Sequence, residues 1–84
     1  MYEIPRYNIY VPITKSDTVN FPPTANRLVC DAIYVGGAGI VVAIQEDGTA
    51  VSFTAIAGAL LPIAAKRVNS TTTTATLMVA LYVE

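Results

Sequence analysis

The chain has 84 residues, of which 54% are hydrophobic and 13% charged, with five Lys and Arg against six Asp and Glu and a net charge of −1. One domain fits that length and two do not, and the dispersed cations leave no electrostatic footprint for a nucleic-acid backbone. Without histidine, the chain lacks the usual general base near neutral pH and the commonest metal ligand, so neither an enzyme nor a cofactor or metal protein is expected.

The first segment, 1–25, holds four of the five prolines (Pro5, Pro12, Pro22, Pro23) and three of the five tyrosines. Proline removes a backbone donor and fixes φ, so this stretch is predicted to be an extended arm that joins a sheet only at an edge. Between Tyr7 and Ile13 the alternation suits one edge strand, and a coil laid over the core is the equally weighted alternative. Tyrosines combine apolar faces with polar tips, which suits a wet contact with a neighbour. Tyr2, Ile4, Tyr7, Ile9, Tyr10 and Val11 are therefore the candidate partner interface. The N-terminus lacks the basic start and apolar stretch of a secretory signal.

The remainder, 26–84, reads as a compact β domain. Strands are predicted at Leu28–Val35, Ile40–Gln45, Thr49–Thr54, Leu60–Val68 and Thr76–Val83, each rich in β-branched or aromatic residues and ended by glycine, proline or a polar cluster. Gly36-Gly37-Ala38-Gly39 is read as a tight connection. Glu46-Asp47-Gly48 is read as a three-residue hairpin turn of type I closed by a glycine bulge. A helix over Ala55–Ala65 is opposed by Gly58 and Pro62 and by the lack of a polar face. The expected fold is all-β, a small antiparallel sandwich or barrel of about five to six strands with an extended N-terminal arm.

Within these strands, Arg27 and Asp31 share one face, where ordinary solvated surface charge is the favoured reading and a local ion pair or a contact for a neighbour the alternative. Cys30, the only cysteine, sits in an apolar run and reads as a buried structural thiol. The threonines of Thr71–Thr74 read as a flexible polar loop, with an adhesive edge or a ligand surface as the alternatives. No apolar run is long enough for a membrane-spanning helix. Ile40–Ile44 and Leu77–Val83 are apolar at nearly every position, so both faces of those strands call for cover. A chain this short buries only about 60% of its unfolded surface. The apolar surplus therefore points to burial against another chain.

A resemblance agrees with that direction. Tyr34-Val35-Gly36-Gly37-Ala38-Gly39, Asp47-Gly48-Thr49 with Val51 and Phe53, Ala57-Gly58 with Leu60-Leu61-Pro62, Arg67-Val68, Thr73-Thr74-Ala75 and Val79-Ala80-Leu81-Tyr82 resemble the strand ends and turns of small virion proteins of tailed bacteriophages. Those are head decoration, cement or spike-base proteins, and the match covers about half the chain. The resemblance implies a bacteriophage virion structural protein, a homo-oligomer assembled in the host cytoplasm and touching the major capsid protein or other virion proteins. Nucleic acid and membrane are not expected partners. The alternative is a small β-module of a phage tail or fibre that binds a host receptor or glycan through Ala55–Ala59 and Ser70–Ala75.

Overall fold

The computed structural model describes residues 7–24 and 27–83, which contain seven strands and no helix. In chain order these are β1 (Ile9–Pro12), β2 (Ala32–Gly37), β3 (Gly39–Ile44), β4 (Ala50–Ala55), β5 (Ala59–Leu61), β6 (Arg67–Val68) and β7 (Thr76–Tyr82). They form two antiparallel sheets, one ordered β1-β7-β2-β5 and one ordered β4-β3-β6. This is the small all-β sandwich expected.

The sandwich is built on one long hairpin folded across both sheets. At its tip Gln45 N donates to Thr49 O at 2.8 Å and Gly48 N to Gln45 O at 2.9 Å, with Gly48 at φ +95°. That is a type I turn closed by a glycine in the left-handed region, as Asp47-Gly48 predicts. Asp47 also caps it, its carboxylate accepting Thr49 N at 2.9 Å. From there Ile44 faces Ala50, Gly39 faces Ala55, Val35 faces Ala59 and Ile33 faces Leu61. The register is continuous, so β2–β3 and β4–β5 are single strands bent at a shared corner. At that corner Gly39 has φ +155°, and a Cβ there would lie 2.6 Å from Ala75 N. Only glycine lets the two backbones approach so closely.

The other side of β3 is completed differently from β7. Beyond β6 the chain leaves regular pairing, and threonine side chains take the place of backbone carbonyls. Thr73 Oγ1 accepts Val42 N at 3.0 Å and Thr74 Oγ1 accepts Ile40 N at 2.8 Å. Thr73 is the buried polar residue among the described ones. The Thr71–Thr74 run is thus partly a sheet element and not a loose polar loop.

Two strand expectations need correction. Leu60–Val68 is not one strand: Pro62 has no N–H to give, Ile63 N turns back onto Leu61 O at 2.8 Å, and the chain passes from the first sheet to the second. That division makes seven strands of six. Leu28–Val35 begins only at Ala32, because Arg27 pairs with the Asp31 carboxylate across a turn that also accepts Val83 N at 2.6 Å. The ion pair exists, but in a turn and not on a strand face.

Between the sheets lie Ile33, Val35, Val41, Val68 and Tyr82, each less than 2% exposed, with Met78 and Phe21 beside them. The segment before residue 25 shares this core: β1 is an edge strand, Ile13 N donates to Met78 O at 3.0 Å, Ser16 N to Val68 O at 2.9 Å and Phe21 N to Lys66 O at 2.8 Å.

Candidate protein-protein interface

Alternation along the four-stranded sheet sends Ile9, Val11, Met78, Ala80, Tyr82, Ile33 and Val35 inward. Their neighbours must point outward. The register then sets Tyr10, Leu81 and the fully buried Ala32 in one cross-strand row and Pro12, Val79, Tyr34 and Leu60 in the next. Every member is apolar or aromatic, and the tyrosine hydroxyls are the only polar side-chain groups. Tyr10 is 68% exposed, Leu60 48% and Tyr34 41%. Leu77, at the margin of these rows, is 79% exposed and has φ +54°. A leucine in the left-handed region is strained, and an exposed one gains nothing from folding alone.

A face of this kind on a soluble monomer marks a contact surface. Three of the described charged residues are engaged elsewhere. Asp17 accepts Thr71 N at 2.9 Å and Thr71 Oγ1 at 2.6 Å, and these bonds hold its carboxyl below the usual range. Arg67 bridges Asn20 at 3.1 Å and Asn69 at 3.2 Å. Lys15 reaches Ala75 O at 3.4 Å.

The six residues singled out from the sequence separate in space. Tyr10 lies on the outer face, whereas Ile9 and Val11 pack against the core and support it from beneath. Tyr7 is half-buried just before β1. Tyr2 and Ile4 lie outside the described residues. The sequence reading did not reach Tyr34, Leu60, Val79 and Leu81, although the doubly apolar run Leu77–Val83 carried the signal. The other such run, Ile40–Ile44, is different: Val41 to Ile44 are all buried within the chain's own fold.

Other chemistry finds little footing. Cys30 is 1% exposed, and burial pushes its thiol pKa up, the reverse of what a nucleophile needs. No group of three or more metal-ligating side chains occurs among the described residues. Of the two loops assigned to a receptor or glycan, Ser70–Ala75 is tied to β3 and Asp17.

No protein-family model and no curated protein matches the chain. Among solved structures, a chain of the capsid of a native GTA particle, computed with C5 symmetry, is similar. The two are 32% identical, the similarity covers 90% of this chain and 83% of that one, and the TM-score is 0.79.

Proposed function

This chain belongs with the virion structural proteins of which that capsid chain is an example, and from that premise we propose that it is a capsid decoration, cement or spike-base subunit. The observation that carries the proposal is the uncharged outer face of the four-stranded sheet, formed by Tyr10, Pro12, Val79, Leu81, Tyr34 and Leu60. In this reading the face rests on another virion protein, the major capsid protein being the favoured one. The protein acts by adding contact area at a symmetric surface, not by chemistry. The first 25 residues serve as the docking segment, with Tyr7 and Tyr10 making contact on this side, Tyr2 and Ile4 reaching a neighbouring subunit, and Ile9 and Val11 holding β1 to the body.

Burying an apolar side chain yields roughly 1.5–3 kcal/mol, so a few residues dominate such a contact. Tyr34→Glu and Leu60→Glu each place a charge on the face without touching the inner core. Both variants are expected to keep a native circular dichroism spectrum and to be lost from purified particles. Normal incorporation of the folded double variant would overturn the assignment of this face.

A further inference from the structure

Strand β4 is an open edge. Because Gln45 pairs with Thr49, Val51 and Phe53 turn their backbone groups toward β3, and the N–H and C=O groups of Ala50, Ser52 and Thr54 point away from the sheet. No described residue takes those groups. The remaining edges are closed or blunted: β6 is covered by Ser16 and Phe21, β1 contains Pro12, and the three-residue β5 runs into Pro62. Residues 50–55 contain neither proline nor charge, the devices by which natural proteins protect an edge. Beneath the same edge, Val51 and Phe53 are only half-buried over an apolar hollow of about 370 Å³ shared with Ala43 and Ile63. Both the unpaired backbone and the hollow fit an extended segment with apolar side chains at alternate positions.

Resting on the reading of the chain as an assembly subunit, we propose that this edge is completed by the first residues of a second copy, with Tyr2 and Ile4 directed to the hollow. Those two residues share one side of an extended segment, and Glu3 takes the other. The polarity also fits. The chain enters the sandwich at β1, one edge of the four-stranded sheet, while β4 continues into β5 at the opposite edge. Donor and acceptor therefore lie on opposite sides of a subunit, and the contact joins copies head to tail. Such heterologous contacts generate rings where the rotation between copies closes. The alternative use of the edge, β4 against β4 of a second copy, produces a twofold dimer.

The test uses the full-length protein alone, so its outcome is separate from association with particles. Glu3→Cys and Ser52→Cys point to the same sheet face of the added and accepting strands. When the two single variants are mixed and oxidised, a disulfide-linked heterodimer is expected, and the doubly substituted chain is expected to give a ladder ending at a closed ring. Ile4→Lys in the same backgrounds is expected to abolish the cross-link and the oligomer while leaving the fold intact by circular dichroism. The proposal is overturned if Ser52→Cys links only to itself, if the double variant closes within one copy, if no link forms, or if Ile4→Lys changes nothing.

Discussion

Leu77 combines two costs that a free monomer has no reason to bear, a left-handed backbone and 79% exposure of a large apolar side chain. A partner that covers Leu77 would offset both costs, which fits the proposed seating of this face. Leu77→Asn, whose side chain tolerates that conformation, is expected to hold or raise the melting temperature while weakening particle association. Thr73 has the opposite character. Its hydroxyl satisfies the buried Val42 N–H, so Thr73→Val keeps the shape and orphans a donor, at a cost of about 1–3 kcal/mol. Thermal unfolding should register this as a drop of roughly 4–8 °C per kcal/mol. Asp17 supplies a pH-dependent tie between residues 16–21 and the threonine run. Its folded pKa lies below the ordinary 3.8, so the tie is complete above that value and is lost as pH falls through the lowered one. Exchange of the Thr71 amide, corrected for its intrinsic rate, is expected to lose protection in that acid range, and Asp17→Asn is expected to remove the dependence.

Among the elements, the Ile40–Thr54 hairpin was legible because its turn chemistry is local: Asp47 caps, Gly48 adopts positive φ, and the flanking strands alternate. The corner at Gly39 is non-local, since its glycine answers to Ala75, 36 positions away. These two glycines should respond differently. Gly48→Ala meets nothing within 4 Å and bears only the conformational cost of about 1–2 kcal/mol. Gly39→Ala also drives a methyl into the backbone of Ala75 and is expected to be clearly less stable by chemical denaturation. The division of Leu60–Val68 escaped a reading by residue type, because apolar residues flank Pro62 on both sides and nothing local says that the chain changes sheets there. The threonine run escaped for a related reason: a hydroxyl standing in for a ladder carbonyl is visible only once β3 lies beside it.

For the whole molecule, composition announced more apolar surface than one small core holds, but not where the surplus sits. Ile40–Ile44 and Leu77–Val83 look alike as sequences. The first is central in its sheet and, from Val41 on, covered by its own chain, whereas the second has one face on the core and the other on the open rows of Tyr10, Val79, Tyr34 and Leu60. Ile9, Tyr10 and Val11 form one candidate interface in the sequence, yet the alternation already legible between Tyr7 and Ile13 sends Tyr10 outward and its neighbours inward. The central claim is that the chain is a structural component of the particle, seated on that outer face. The most direct measurement is its copy number in purified particles, by quantitative mass spectrometry against the major capsid protein. A fixed ratio set by the particle's symmetry, falling to background for the Tyr34→Glu and Leu60→Glu double variant, is the expected result. Absence of the wild-type chain from purified particles would contradict the account.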